Sequence, residues 1–292
     1  MSGGDARAHP VTPALLRAWP LPEPGAEGDK DARGAVLVVG GARGTPGAAM
    51  LTGLAALRVG AGRLTLAVGA SVATAVAVAV PECGTVPLAE DDEGRLDGSG
   101  MLADELERSA VVCLGPGLTG ADATRTLLRT LLPQVGGDCA VVLDAFALGV
   151  LPDVADLVAP LAGRLVLTPN AAEGARLLGD DRRRPDPPGA LCLADRYGAA
   201  VTWHGTLADA DGRTWESSTG TSGLATSGSG DVLAGAVAGL LARGATPAQA
   251  ACWGTHAHGA AGDRLAARVA ARGYLARELL DELPAVLTEL EG

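Results

Sequence analysis

The sequence holds a single lysine, Lys30, against twenty-two arginines, so any task usually given to a lysine falls to Lys30 or to a substitute. Aromatic residues make up 2% of the chain and hydrophobic residues 48%, which leaves a core built from Ala, Val and Leu. The four tryptophans (Trp19, Trp203, Trp215 and Trp253) are too dispersed for a base-stacking platform. Basic residues are outnumbered 23 to 34, and the net charge of −11 argues against a nucleic-acid or anionic-membrane partner. The five cysteines are scattered and include no C-x-x-C pair, which fits small core residues in a reducing compartment rather than a disulfide or zinc framework. The N-terminus has no apolar signal-like core, and no apolar run reaches membrane-spanning length without glycine or charge. A cytoplasmic protein with no membrane partner is expected.

A chain of 292 residues suits one large α/β domain or two small ones. Its 42 glycines and 18 prolines imply many tight turns, because periodic apolar segments run through most of the sequence. Residues 1–34 read as irregular, with an arm over 1–20 and the domain proper over 21–292. "AVLVVGG" (35–41) is a buried strand running into glycines. Residues 45–62 form a helix with Thr45 as cap and Pro46 at its first position, and "RLTLAV" (63–68) is the next strand. That order is a βαβ unit, so the sheet is at least partly parallel. Helices follow near 70–80, 101–109 and 121–132, with an acidic loop at 89–100. Short strands open "AVVCLGPGL" (110–118), "AVVLDAFAL" (140–148), "LVLTPNAAEGARLLG" (165–179) and "AAVTWHG" (199–205). Residues 206–217 alternate like a hairpin around Asp211-Gly212, and the charged stretch 180–189 reads as a solvated loop.

Unusual residues gather in one kind of place. Gly40-Gly41, Gly115-Pro116-Gly117, Asp144, Thr168-Pro169-Asn170 and His204-Gly205 all come just after a strand. In an open parallel sheet, ligands bind outside the carboxyl ends of the strands. Asp144 fits either a strand-end cap or a ligand contact, and Glu173 fits the start of a helix. His204 reads as reaching the cleft, with a hydrogen-bonded core histidine as the alternative. His256 and His258 are two apart on a helix, so they face different sides, cannot form a metal pair, and fit core or interface packing. No metal-ligating set is read.

"LATSGSGDVLAGAVAGLLARG" (224–244) sets small polar residues and glycines before one acid, then turns apolar. Val232, Leu233, Ala236, Val237, Leu240 and Leu241 make a helical stripe, Gly235 and Gly239 leave room for a neighbouring backbone, and Gly244 ends the helix. "TPAQ" (246–249) caps the next helix. The run Ser227-Gly228-Ser229-Gly230 leaves backbone N–H groups converging near the helix N-terminus, where a phosphate would bind. Asp231 beside a phosphate needs a task, such as accepting a proton or meeting a metal. A plain cap at the helix dipole is the alternative.

Together these segments resemble the ADP-dependent NAD(P)H-hydrate dehydratase family of the ribokinase-like superfamily. "KDARGAVLVVGGARGTPGAAMLTGLAALRVGAGRLTLAV" (30–68) is similar to that family's opening block. "LGPGL", "VLDAFAL", "LTPNAAEGARLLG", "SGSGDVLAGAVAGLLARG" and "HAHGAAGD" (256–263) follow in the family's order. The resemblance implies a single α/β domain with a largely parallel central sheet flanked by helices. It also implies repair of NADH or NADPH hydrated at C6, with ADP as co-substrate and AMP and phosphate as products. Asp231 would take the hydroxyl proton, the "SGSG" amides would hold phosphoryl charge, and Mg²⁺ would offset what remains.

By the same resemblance, Ala48, Gly117, Asn170 and Asp231 contact the hydrated dinucleotide. His204, Gly205, Thr206, Leu207 and Ala208, with Ser227, Gly228, Ser229 and Gly230, hold the nucleotide. A separate epimerase and homo-oligomerisation are further implications. The chain departs from the family pattern at Asn170, which replaces a histidine, at His204, which replaces a lysine, and at Phe146, which replaces an acid. These departures keep two rivals open: a nucleotide-binding relative without turnover, and a small-molecule kinase that leaves a stable phosphate ester.

Overall fold

The computed structural model describes residues 8–23, 34–97, 102–180 and 183–292. Lys30 and the end of the acidic loop at 98–100 lie outside the described residues. Ten strands form one sheet: β1 (His9–Val11), β2 (Ala35–Val39), β3 (Arg63–Gly69), β4 (Gly84–Leu88), β5 (Val111–Leu114), β6 (Ala140–Leu143), β7 (Leu165–Leu167), β8 (Ala199–Trp203), β9 (Thr206–Ala208) and β10 (Thr214–Ser217). Their order is β1-β10-β9-β8-β7-β6-β5-β2-β3-β4. From β8 to β4 all neighbours are parallel, while β9 runs antiparallel to both β8 and β10.

The described residues form twelve α-helices, nine between strands and three after β10. In the first half they are α1 (Pro13–Ala18), α2 (Pro46–Arg58), α3 (Ala70–Ala79), α4 (Ala103–Arg108), α5 (Ala121–Leu131) and α6 (Ala145–Val150). The second half adds α7 (Ala155–Val158), α8 (Ala171–Leu178), α9 (Pro187–Tyr197), α10 (Ser229–Ala242), α11 (Pro247–Arg268) and α12 (Ala276–Glu291). Side chains of a strand alternate between its faces. Val36 and Val38 accordingly pack with α2, α10, α11 and α12, whereas Leu37 and Val39 pack with α5, α6, α8 and α9. Both faces are covered, which is why "AVLVV" is apolar throughout instead of alternating.

The arm is where sequence and structure part. Residues 9–11 are a strand parallel to β10, and residues 13–18 are a helix with Leu16 fully buried. A three-residue strand and a six-residue helix are too short to show a period, and the partner of β1 lies about 200 residues away. Three further corrections are local. Strand β4 was not expected. The end of the stretch 180–189 is already helix, with Asp186 capping α9 through the Gly189 N–H. Cys192 is exposed, whereas Cys113, Cys139 and Cys252 are buried as expected.

Gln249 fixes the arm. Thr246 caps α11 through the Gln249 backbone, while the Gln249 side-chain amide donates to the carbonyls of Trp19 (3.1 Å) and Pro20 (2.7 Å). Trp19 O also accepts from the Trp253 indole N–H at 3.0 Å, so Gln249→Ala is expected to strand the Pro20 carbonyl and to cost about 1–3 kcal/mol. Earlier protease cleavage after Arg17 and a lowered unfolding midpoint would report it.

Candidate active site

The chain runs outward from β2 through β3 to β4, then returns to β5 on the other side of β2. At such a switch point the loops after the two central strands diverge and leave a crevice. Here the loops are "GGARGTPG" and "GPGL". Gly41 N–H donates to Pro116 O (2.8 Å) and Ala42 N–H to Gly117 O (2.9 Å), so the two glycine turns are laced together at the crevice floor. Gly117 has φ +68°, and a Cβ on it would lie 2.4 Å from Thr45 O and 3.1 Å from the Ala48 side chain. The contact explains the glycine and places Ala48 and Gly117 side by side. Thr45 precedes α2 as expected but does not cap it with its side chain. Its hydroxyl instead donates to Gly117 O at 2.7 Å, a stronger use because it ties helix to loop.

Three carboxylates, Asp144, Glu173 and Asp231, lie close enough for their charges to act on one another. Asp144 follows β6 and is almost completely buried. The Thr168 hydroxyl, at the end of β7, donates to its Oδ1 at 2.6 Å. It occupies the first position before α6 without capping it, and Ala145 after it is held at φ +46°, a strained value for a non-glycine residue. Burial raises the Asp144 pKa well above the carboxylate range, and the charges of Asp231 and Glu173 push it the same way. Burial, then Glu173, raises Asp231 to about 6. No cationic side chain among the described residues offsets either shift.

Asp231 lies in the first turn of α10, as the sequence implied. The preceding Gly228 adopts φ +89° and carries no side-chain cap. The N–H groups of Ser227, Gly228, Gly230 and Asp231 have no acceptor among the described residues, which is the condition for an anion site at a helix N-terminus. Ser229 differs: its N–H donates to Thr226 O and its hydroxyl contacts His258.

Asn170, the chain's one asparagine, caps α8. Its Oδ1 accepts from the Ala172 and Glu173 N–H groups at 2.9 Å, and Glu173 Oε2 accepts from the Asn170 N–H. Its side-chain NH₂ has no acceptor among the described residues. His204 and Gly205 have φ +52° and +86°, a two-residue turn with both residues left-handed between β8 and β9. They sit on the cleft side of the sheet. Leu207 and Ala208 do not: β9 carries them back into the sheet, where each is 1% exposed and both neighbouring strands occupy the backbone. Two cavities of about 370 and 750 Å³ open at the opposite rim, and neither includes Asp231.

A family profile described as NAD(P)H-hydrate dehydratase matches residues 36–285. A relative from Xanthomonas campestris pv. campestris, an ADP-dependent (S)-NAD(P)H-hydrate dehydratase, is 43% identical over 97% of this chain and 98% of its own length. The chain belongs to the NAD(P)H-hydrate dehydratase family. It is 40% identical over 95% of its length to a bifunctional NAD(P)H-hydrate repair enzyme from Moorella thermoacetica, of which it spans 54%. The ADP/ATP-dependent NAD(P)H-hydrate dehydratase from Bacillus subtilis, co-crystallised with ATP/Mg²⁺, superposes with a TM-score of 0.78 at 27% identity, covering 98% of this chain and 99% of that one. The ribokinase-like fold expected from the sequence is therefore present.

In this dehydratase the supporting contacts of several residues escaped the sequence reading. Thr168 donates to Asp144, while Glu173, whose charge raises both acids, accepts from the Asn170 N–H. Asp263 accepts from the Gly220 N–H at 3.0 Å and so anchors the loop leading to "SGSGD". Their sequence signal lay in the blocks "LTPNAAEG" and "HAHGAAGD", whose side chains have no period that separates a support from a core residue.

Proposed function

We propose that the chain dehydrates NADH or NADPH hydrated at C6, using ADP, with Asp231 as proton acceptor. The carrying observation is the Asp231 carboxylate, raised to about 6, beside free helix-terminal amides. The C6 hydroxyl oxygen attacks the β-phosphorus of ADP as its proton passes to Asp231, and the bond from β-phosphorus to the bridging oxygen breaks, releasing AMP. The ring nitrogen's electron pair then expels phosphate from C6, and loss of a C5 proton restores the dihydronicotinamide. The Gly230 and Asp231 N–H groups are aimed where charge grows on the transferring phosphoryl group.

Mg²⁺ fits this site only as a shared ion. No group of three ligating side chains among the described residues could hold a metal alone, and Mg²⁺ commonly binds one or two carboxylates plus substrate phosphates. Asp144 and Glu173 are the residues that would face it. When bound it would neutralise phosphate charge. Among the described residues no helix is long and apolar enough to cross a membrane. We place the reaction in the cytoplasm, with an epimerase of the same hydrate as functional partner and a homo-oligomeric assembly. The test is absorbance at 340 nm after mixing the protein, hydrated NADH, ADP and Mg²⁺. An ADP-dependent rise with release of AMP is expected. A stable phosphorylated hydrate would instead favour a kinase, and binding without change would favour a relative without turnover.

A further inference from the structure

The contact between Ser229 and His258 is left unused by this chemistry. Ser229 is the first residue of α10, two positions before Asp231, and His258 lies midway along α11. Both are buried, and Ser229 Oγ is 3.0 Å from His258 Nε2. The Ser229 N–H is spent on Thr226 O at 3.2 Å, and its Oγ lies against the buried His258 ring. It is the one member of the "SGSG" run whose polar groups all turn inward.

The cap residue Gly228 cannot fix the turn. It has no side chain, and a Cβ there would meet Leu51 Cδ1 at 2.6 Å and Ala276 Cβ at 3.2 Å, so α2 and α12 crowd it from both sides. A serine hydroxyl at a helix start also competes for nearby backbone N–H groups. Engaging it with His258 removes the competitor and leaves the Gly230 and Asp231 amides free. Burial holds His258 at about pKa 4, so the ring is neutral at neutral pH and adds no charge beside Asp231. Its contribution is directional.

We propose that Ser229 and His258 form a positioning pair, which holds the first turn of α10 on α11 so that the Asp231 carboxylate and the two free amides share one target. The proposal rests on the dehydratase reading above. Its test is a double-mutant cycle with Ser229→Ala, His258→Leu and the double variant, plus His258→Gln, which keeps a hydrogen-bonding group near the same place. Each single change is expected to lower kcat about tenfold or more by misplacing the reacting groups, while the KM for hydrated NADH stays within about twofold. The double variant should be no slower than the slower single one, and His258→Gln should recover most of the loss. Additive losses, an unchanged kcat, or a failure of glutamine to rescue would overturn the pairing. If His258→Leu does not fold, Ser229→Ala and His258→Gln decide alone. If the wild-type chain itself shows no ADP-dependent turnover, the dehydratase reading fails separately. The pair is then judged by calorimetric ADP binding, which Ser229→Ala should weaken severalfold and which, if unchanged, overturns it.

Discussion

Asp231→Asn is expected to reduce kcat for ADP-dependent dehydration by roughly 10²–10⁴-fold, the range that a positioned general base contributes. The substitution keeps the shape and the free amides of the α10 terminus, so ADP binding persists while the proton acceptor is gone. The same residue sets the pH response. With a pKa of about 6, the base form is depleted as pH falls below 6, and kcat/KM of the wild type should show an acid limb there. The stability consequence has the opposite sense. The folded state holds this proton up to about pH 6, whereas the unfolded chain releases it near 3.8. Stability from this group is therefore present below 3.8 and is lost as pH rises through 6. At pH 7 the ionised, largely buried carboxylate is a cost, and Asp231→Asn should stabilise the fold on the order of 2 kcal/mol. Urea unfolding at pH 7 should show that gain, and unfolding near pH 3.5 should show it vanish. A variant that is less stable at pH 7 would mean that Asp231 is held by partners rather than stranded.

Gly235→Ala should produce the largest loss of stability. Helix α10 lies directly on α2, and a Cβ on Gly235 would come 2.0 Å from Thr52 O and 2.8 Å from the Ala55 side chain. Neither helix can yield locally, because Gly239, one turn on, meets Ala56 O in the same way at 2.4 Å. Forcing the helices apart opens the apolar layer beneath them, at a cost of about 3 kcal/mol or more. For a domain of this size that corresponds to a fall in Tm of roughly 6–12 °C. Gly149→Ala is the control. It lies within α6 with nothing inside 4 Å of the added carbon, so helix propensity should win, with a gain of about 0.5–1 kcal/mol. Equal melting of the two variants would refute the close-packing account.

The sequence was most readable where a short apolar strand runs into glycine or an acid. From β2 and β3 through β5 to β8, each such junction is where the reading put it, because burial on both faces leaves uninterrupted apolar runs. Gly117, Asp144 and Asn170 each lie just beyond a strand end, and Asp231 lies in the first turn of α10. Long-range side-chain hydrogen bonding was not readable. Thr45 occupies the position of a cap yet bonds to Gly117, and Gln249 completes a capping sequence yet bonds to the arm. In both cases a tertiary partner outcompetes the local one, and local spacing holds no record of it. The family resemblance implied Leu207 and Ala208 at the nucleotide, in one stretch with His204. The reversal of direction at the His204-Gly205 turn takes them away. The asparagine in place of a histidine has a plain local reason, since asparagine is among the strongest residues at a helix N-cap.

The parallel pairing of β1 with β10 also bears on how the molecule is made. Residues 9–11 leave the ribosome early, but the strand they join is completed only about 200 residues later. At ordinary synthesis rates this is a wait of roughly 10–40 s. Throughout that interval the β10 edge does not exist, and by its end the seven strands of the parallel body from β4 to β8 have all been made. This segment can therefore take its place only after every strand of the parallel body has been made.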